Sequence, residues 1–284
     1  MELKNALVEL YTKCATDLPK DIEQELVKAL RVESSDSLAF ETITRILDNV
    51  RVARKNKIPI CQVTFTPIFY VTYTKDTSPK YIKDAIIEAT KEATEKIPLR
   101  PNAVDPITGE NSKNNVGEGY PIIYFREGEE KRIDLMLKGG GSENIGQVYK
   151  LPDERLKAGR DIEGIRRCVL DAMVKAQGKG CSPNYIGVAI GGSKDIVSRF
   201  SKWQIMRKVD DENRDPNLAK FEKLLKEELN QLGIGPLGLG GKTTCLGVKM
   251  TKTHRHPASF FVDVSFSCWA TRRYSLHMDS GKIE

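Results

Sequence analysis

The 284-residue chain has no long uninterrupted apolar segment, although 39% of its residues are hydrophobic. A membrane-spanning helix needs about 20 consecutive, mostly apolar residues, so the sequence predicts none. The N-terminal stretch MELKNALVELYTKCATDL carries acidic residues and helical periodicity. A signal peptide would have a basic patch and an apolar block there. We therefore expect a cytoplasmic protein that does not act at a membrane.

Blocks of like charge are also missing. The 45 basic and 39 acidic side chains are interleaved, and the net charge is +6. Nucleic-acid binding usually requires a concentrated basic surface, so this pattern gives it little support. A local excess of Lys and Arg around a pocket for an anionic metabolite fits the charge balance equally well.

Cysteine is scarce, with six residues and no C-x-x-C pair. A chain of this length can bury a core without a disulfide scaffold, so the cysteines are available for other roles. The spacing excludes zinc ribbons and ferredoxin-type clusters as local motifs. A metal site built from cysteines far apart in sequence remains open, because folding can bring distant loops together.

Internal repeats, low-complexity runs and linkers are absent as well. The length allows one large domain or two lobes, and the mixture of helical and strand patterns favours a single helix-rich α+β domain over 1–284 with short mixed or antiparallel sheets. We expect a helical N-terminal part over about 1–58 and an α+β part over about 59–284. The patterns predict a long ordered loop at 98–120 and a hairpin formed by 121–125 and 133–137.

Three helix boundaries have local sequence signals. Ser78 is predicted to cap a helix that has Pro79 at its first position. A second long helix is predicted over 161–177, ending at Gly178, and a further helix is predicted to start at Asp215-Pro216.

Two glycine-rich stretches invite nucleotide-binding interpretations. The segment GPLGLGGKTT (235–244) has Pro236 six positions before Lys242, where a P-loop needs glycine, and it follows a helix instead of a strand. We therefore expect no nucleotide there. The segment GGGSENIG (139–146) matches a dinucleotide fingerprint only loosely. Its three glycines expose backbone N–H groups, so it is either a turn or a site for a carboxylate or phosphate.

The six cysteines fall into two groups. The first group is predicted to lie in the core, within helices or at the start of a strand, and comprises Cys14, Cys168 and Cys245. The second group lies in loops or at the ends of elements, where thiolates can point to a common centre, and comprises Cys61, Cys181 and Cys268. Three thiolates suit a [4Fe–4S] cluster with one iron that lacks a protein ligand, or a Cys₃ zinc site with an open position.

Seven segments together resemble a known family. They are ICQ-TF-PIFYV, LRPNAVDP, KGGGSEN, GKGCSPNYIGVAIGG, LNQLGIGPLGLGGKTT, HRHPASFFV and CWATRR. They occur in order over nearly the whole chain and are similar to the α subunit of the two-subunit class I iron–sulfur hydro-lyases, the fumarase and tartrate dehydratase family. The resemblance implies that Cys61, Cys181 and Cys268 hold a [4Fe–4S] cluster, with the α+β fold surrounding it.

The same resemblance implies how a dicarboxylate substrate is held. His256 and Arg100 are expected to contact its carboxylates, Gly141 to offer its backbone, and Gln62 to hydrogen-bond the substrate beside the cluster. The expected activity is fumarate hydratase, the reversible hydration of fumarate to (S)-malate in the tricarboxylic acid cycle. Tartrate dehydratase and mesaconate hydration are the alternatives.

The sequence departs from the family pattern at one position. The family usually reads Cys-Gln-Asp-Thr-Gly, and its aspartate is thought to assist proton transfer, whereas this chain has Val63 there. Valine cannot accept or orient a proton, so the residue that acts as the base is unknown. A subunit that binds the cluster but turns over slowly is therefore a further alternative.

Partners follow from the same resemblance. Single-chain relatives continue into a further domain that carries catalytic residues, whereas this sequence stops soon after CWATRR. We expect a separate β subunit that completes the active site, an (αβ)₂ assembly, and feeble activity of the chain alone.

Overall fold

The structure, a computed structural model, describes residues 2–62 and 65–284 and has an α+β fold with mixed sheets. The helices are α1 (Leu3–Thr16), α2 (Lys20–Val32), α3 (Leu38–Asn56), α4 (Pro79–Lys96), α5 (Gly140–Asn144), α6 (Ile162–Ala176), α7 (Lys194–Gln204) and α8 (Pro216–Gln231). The strands are β1 (Phe65–Tyr73), β2 (Ile122–Glu127), β3 (Arg132–Gly139), β4 (Gln147–Lys150), β5 (Asn184–Ile190), β6 (Cys245–Lys252), β7 (Phe261–Ser267), β8 (Arg272–His277) and β9 (Lys282–Ile283). The predicted α+β class is thus confirmed.

The chain divides into two compact units. Unit 1 comprises Met1–Pro19, Asp48–Gly140 and Ala270–Glu284, and unit 2 comprises Lys20–Leu47 and Gly141–Trp269. Across the described ranges, no helix is both long enough and apolar enough to span a bilayer.

Unit 1 is built on a sheet with strand order β2-β1-β3-β8-β9. Helices α1 and α4 bury their apolar stripes, which include Leu7, Leu10 and Ile86, against one face of this sheet. The Tyr11 hydroxyl lies 2.8 Å from Thr90 Oγ1 and joins the two helices. Helix α4 begins as its sequence predicts, with the Ser78 hydroxyl accepting the N–H of Tyr81.

The predicted hairpin of 121–125 and 133–137 is wrong. Strand β1 lies between the two segments, because β2 pairs with β1 in parallel and β3 pairs with β1 antiparallel. β1 is buried over most of its length, and a central position lets it pair on both sides. The link between β2 and β3 crosses the end of β1, where Gly128 N–H donates to the Tyr73 carbonyl oxygen. A Cβ at Gly128 would lie 2.6 Å from Thr72 Cγ2, so glycine permits this crossing.

Unit 2 is built on a sheet with strand order β4-β7-β5-β6. Every residue of β5 is buried, which fits a central strand covered on both faces. Ile186 and Val188 belong to the core formed with α6 and α8. Side chains alternate along a strand, so Gly187 faces the other side, where α7 packs. A Cβ at Gly187 would lie 1.9 Å from the Ser201 carbonyl oxygen of α7, so this close packing requires glycine.

Helix α6 leads directly into one of the predicted site loops. It was predicted to end at Gly178, but it ends at Ala176, and Gln177 takes the positive φ of 47°. Gly178 serves packing instead, because a Cβ there would lie 2.5 Å from the Leu237 carbonyl oxygen. The loop that carries Cys181 therefore begins pressed against the 235–238 segment.

Candidate functional site

The three cysteines predicted to lie in the core are buried. They are Cys14 in α1, Cys168 in α6 and Cys245 at the start of β6. Burial raises the pKa of Cys168 and of Cys245 to about 12. Burial also raises the pKa of Cys14, and the nearby Arg272 charge offsets a small part of that rise. These thiols stay protonated near neutral pH, and the prediction that they are core residues is confirmed.

The other three cysteines are open to solvent. Cys61 and Cys181 are exposed and Cys268 is half-buried. Cys61 belongs to unit 1, whereas the other two belong to unit 2. Within residues 2–62 and 65–284, no three His, Cys, Asp or Glu side chains are grouped so that they could hold one metal ion. The convergence of the three sulfurs stays a prediction.

Cys181 sits in a loop with a strained and well-supported backbone. Its φ is 55°, a conformation that costs a non-glycine residue about 1–2 kcal/mol. The Cys181 N–H donates to the Gly178 carbonyl oxygen at 3.1 Å. The next residue, Ser182, is fully buried, and its hydroxyl donates to the Gly235 carbonyl oxygen at 2.7 Å. The Ser182 carbonyl oxygen accepts the Leu237 N–H at 2.8 Å. The surrounding contacts hold the cysteine in a geometry it would not adopt alone.

The structure brings Cys181 and Cys268 together within unit 2. The Trp269 N–H, directly after Cys268, donates to the Cys181 carbonyl oxygen at 3.1 Å. The Asn184 side-chain amide donates to the carbonyl oxygens of Gly180 and Ser267, each at 3.1 Å. The two cysteine-bearing segments are therefore fastened to each other on both sides of their cysteines.

Gly141 lies beside the same loop. A Cβ built on Gly141 would lie 3.9 Å from the Lys179 carbonyl oxygen, two residues before Cys181. The glycine-rich stretch forms the start of α5 instead of an open turn. One edge of unit 2 thus carries three of the predicted site residues, Gly141, Cys181 and Cys268.

The other glycine-rich stretch already binds an anion of its own chain. The N–H groups of Lys242 and Thr243 donate to the Glu33 carboxylate at 2.8 to 3.0 Å. Glu33 is 9% exposed and directly follows α2. A carboxylate of the protein therefore occupies this backbone site, and the absence of nucleotide binding stays a prediction.

His256 lies at the other end of the unit 2 sheet. It precedes the first residue of β7, whereas Cys268 follows the last, and seven strand residues span about 23 Å at roughly 3.3 Å each. The imidazole is exposed, and its Nδ1 accepts the Ala258 N–H at 3.1 Å. Unit 2 therefore does not bring His256 to Cys181 and Cys268, and its contact with substrate stays a prediction.

The predicted site residues of unit 1 lie on its surface. Cys61 and Gln62 are exposed and follow Ile60, whose N–H donates to the Ala15 carbonyl oxygen at the end of α1 at 3.0 Å. Val63, where the family has an aspartate, lies outside the described residues. The anchoring of Ile60 fixes where the Cys61 segment leaves the core.

Arg100 is exposed at the start of the long loop 98–120. Its carbonyl oxygen accepts the Asn115 side-chain amide at 3.0 Å. Asn115 is 1% exposed, donates also to Thr94 Oγ1 at 3.0 Å, and accepts the Asn102 N–H at 2.6 Å. One buried amide therefore orders the start of the loop that carries Arg100, whose contact with substrate stays a prediction.

Arg272 was missed by the sequence analysis. It is 1% exposed, and among the described residues its Nε and Nη1 atoms have no hydrogen-bond partner and its guanidinium forms no ion pair. Its Cζ lies 5.9 Å from the centre of the Phe65 ring. A buried charge without a counter-charge is costly, which suggests an anion that the chain does not itself provide. The only sequence signal was its position in TRR, four residues after Cys268.

A cleft of about 610 Å³ in unit 1 is separate from these residues. It lies between the starts of α1 and α4 and the C-terminal segment, and its lining includes Asp76, Lys131 and Asp279. Lys131 Nζ lies 2.8 Å from Asp76 Oδ2 and 3.7 Å from Asp279 Oδ1, so its charge is already balanced. None of the predicted site residues lines this cleft.

Comparison with known proteins identifies the family. The fumarate hydratase (fumerase) family model matches residues 4–277. A Geobacillus stearothermophilus protein with the provisional name class I fumarate hydratase is 42% identical over 283 residues, which are 98% of this chain and 55% of that protein. The L(+)-tartrate dehydratase α subunit of Escherichia coli K12 is 30% identical over 280 residues, which are 97% of this chain and 90% of that protein.

A third relative is the Methanocaldococcus jannaschii protein with the provisional name L(+)-tartrate dehydratase subunit alpha. It is 38% identical over 280 residues, which are 96% of each chain. The chain thus spans about half the length of the Geobacillus relative and nearly all of the two α subunits. The resemblance first found in the sequence motifs is confirmed, and the chain belongs to the fumarate hydratase family of hydro-lyases.

Proposed function

We propose that this chain is the α subunit of an iron–sulfur hydro-lyase and that its reaction is the reversible hydration of fumarate to (S)-malate. The observation that carries the proposal concerns the backbone segments of Cys181 and Cys268. They are hydrogen-bonded to each other beside Gly141, in a chain of this family. We further propose that residues 1–284 act as one domain in the cytoplasm.

The donor set fits an iron–sulfur cluster. Thiolates are the usual ligands of such clusters, and the three cysteines proposed to bind it are the three that are not buried. Arg272 follows Cys268 by four residues in the sequence, and its buried guanidinium suits an anion such as a cluster with three thiolates. A Cys₃ zinc site also fits the sulfurs. The family relationship favours the cluster, which when bound would supply an iron atom able to polarise the substrate hydroxyl as a Lewis acid.

The residues of the chain provide for the carboxylates of the substrate. We assign Arg100 to one carboxylate, because a guanidinium offers two parallel N–H donors that match it. The backbone N–H of Gly141 would stabilise charge that develops on a carboxylate beside Cys181. Gln62 would donate to the substrate from the residue next to Cys61. The role of His256 in binding or orienting a carboxylate rests on the family resemblance alone, since His256 and Cys268 lie at opposite ends of β7.

Proton transfer has no assigned residue in this chain. Valine at position 63 cannot exchange a proton, and a positioned acid–base group contributes about 10²- to 10⁴-fold. We therefore propose that a β subunit completes the site, in an (αβ)₂ assembly. The names of the two α-subunit relatives support such a partner, and so does the greater length of the Geobacillus relative.

Tartrate dehydration is the second candidate reaction. It is favoured by the coverage of nearly the whole length of two tartrate dehydratase α subunits. Mesaconate hydration is a third, since the substrates differ by a hydroxyl or a methyl group that a few side chains can select. A cluster-binding subunit with low turnover is the alternative that Val63 supports.

Anaerobic purification of the chain with its β partner tests the proposal. We expect a brown complex that contains iron and sulfide, absorbs broadly near roughly 400 nm, and hydrates fumarate. Replacing Cys181 or Cys268 by serine should abolish iron and sulfide binding, whereas Cys245→Ser, at a buried thiol, should retain both. A colourless complex without iron or sulfide after reconstitution would contradict the cluster, and faster turnover of tartrate or mesaconate would change the assigned substrate.

A further inference from the structure

We propose that Asn184 is a positioning residue of the cluster site and that its side-chain amide sets the spacing of Cys181 and Cys268. The inference rests on the proposed function, because it concerns two of the proposed cluster ligands. Asn184 is fully buried at the start of β5. Its Nδ2 donates to the carbonyl oxygens of the residues directly before the two cysteines, Gly180 and Ser267.

The geometry uses the full donor capacity of one amide. An asparagine Nδ2 carries two hydrogens in one plane, and here each hydrogen has its own carbonyl acceptor. Both distances are 3.1 Å, so the amide bridges the two backbones directly. The Trp269 N–H bond to Cys181 closes the same contact on the other side of the cysteines. The two ligand-bearing segments are thus linked twice, and one link depends on a single side chain.

The rest of Asn184 is held by the sheet. Its own N–H donates to the Thr244 carbonyl oxygen at 2.9 Å, and it pairs with Cys245 in β6. The amide therefore projects from a fixed backbone position. Gly180 also lies close, since a Cβ there would come within 3.2 Å of Asn184 Nδ2. A rigid strand sets the position of the amide, and the amide sets the positions of the two loops.

The side-chain oxygen of Asn184 indicates that asparagine is present at this position for the two N–H donors of its amide. Among the residues that the structure describes, Asn184 Oδ1 is buried without a hydrogen-bond partner. An unsatisfied buried acceptor is destabilising, and an apolar side chain would avoid that destabilisation. The two hydrogen bonds donated by Nδ2 offset this destabilisation.

A purely structural role would make Asn184 one of several amides that join loops in unit 2. Asn213 is a matched control, because its Nδ2 also donates twice, to Glu222 Oε1 at 2.7 Å and to the Met250 carbonyl oxygen at 2.9 Å. Asn213 lies far along β6 from the cysteines, since Met250 pairs with Val188 in β5. Removing either amide deletes two donated bonds, but only Asn184 joins two proposed ligands.

The experiment compares the parent chain with Asn184→Ala, Asn184→Ser and Asn213→Ala, each as the full 284-residue chain reconstituted without oxygen. Iron and sulfide per chain and the rate of iron release to a chelator are measured. Groups that orient metal ligands typically contribute 10- to 100-fold to metal affinity, so we expect Asn184→Ala to release iron at least 10-fold faster than the parent. Serine can donate once, so Asn184→Ser should lie between the two, and Asn213→Ala should match the parent.

A second measurement does not require the cluster. In metal-free chains, the alkylation rates of Cys181 and Cys268 should rise together in Asn184→Ala and remain at the parent rate in Asn213→Ala. Equal iron release from the parent and Asn184→Ala, or unchanged alkylation of both cysteines, would overturn the positioning role. A parent chain that binds neither iron nor sulfide would overturn the proposed function and with it the cluster role of Asn184, and the alkylation rates would still decide whether the amide joins the two loops.

Discussion

Two single residues depart from what stability alone would select. Cys181 has a positive φ, and Arg272 buries a guanidinium whose Nε and Nη1 lack partners within the described part of the chain. Each departure costs free energy in the isolated chain. Such residues are expected where ligand binding stabilises the protein by more than the strain or the buried charge destabilises it. A substitution that removes the strain or the charge should therefore raise stability and weaken ligand binding.

The strain at Cys181 predicts a difference between two variants. Cys181→Ala keeps a side chain at a φ of 55°, whereas Cys181→Gly removes the steric cost. We expect the glycine variant to be more stable than the alanine variant by about 1 kcal/mol in urea unfolding of the metal-free chain. Neither variant should bind iron and sulfide. An alanine variant as stable as the glycine variant would show that the loop relaxes and that no strain is held at this position.

Removing the charge of Arg272 should raise the stability of the metal-free chain and weaken ligand binding. Methionine has a similar length and no charge, so Arg272→Met should stabilise the metal-free chain by about 1–3 kcal/mol. The same change should lower iron and sulfide retention, because a counter-charge to the bound anion is lost. Arg51→Met, at an arginine whose side chain is 68% exposed, should change stability by less than about 0.5 kcal/mol. A less stable Arg272→Met chain would contradict the idea that the guanidinium awaits an external anion.

At the scale of elements, sequence patterns predicted what depends on neighbours along the chain. Helix α4 begins at its predicted cap and proline, and α8 follows the predicted Asp215-Pro216 start. These signals are local, because a cap and an apolar stripe lie within one segment. The hairpin of 121–125 and 133–137 failed because pairing of β1 with both strands is a tertiary choice that neither segment encodes alone.

The candidate site shows the same division. The sequence predicted which cysteines are buried, because those three lie within helices or at the start of a strand and the other three lie in loops or at element ends. Asn184 and Arg272 were not identified, since their roles depend on carbonyls and rings 83 and 207 positions away: the Ser267 carbonyl and the Phe65 ring. A buried amide or guanidinium has no sequence signature apart from its position beside a motif.

The contact of Glu33 with the 242–243 backbone gives an element-scale prediction. Glu33→Ala should destabilise the chain by about 1–3 kcal/mol, because the N–H groups of Lys242 and of the buried Thr243 lose a charged acceptor. Glu41→Ala is the control, since its ion pair with Arg45 is exposed and spans 3.6 Å. Urea unfolding measures both. ATP binding by either the parent or Glu33→Ala would contradict our view that the loop serves only to bind a carboxylate of its own chain.

At the scale of the whole molecule, the proposed function assigns residues of this chain to ligand binding and none to proton transfer. The proposed ligands and carboxylate contacts lie on loops at strand and helix ends, and rigid sheets or buried asparagines fix several of them. The proposal therefore separates ligand binding by this chain from proton transfer, for which position 63 offers only valine. This separation lets binding and turnover be measured independently.

Restoring an aspartate tests that separation in the complete enzyme. In the α–β complex, Val63→Asp should leave iron and sulfide content unchanged and raise kcat for fumarate hydration by about 10²-fold or more, because a positioned proton acceptor is added. Val63→Asn is the matched control, since it adds a polar group of the same shape that cannot take up a proton, and it should give no such rise. If the parent and Val63→Asp turn over fumarate equally fast, the base lies elsewhere in the assembly. This chain would then bind the substrate, and its partner subunit would transfer the proton.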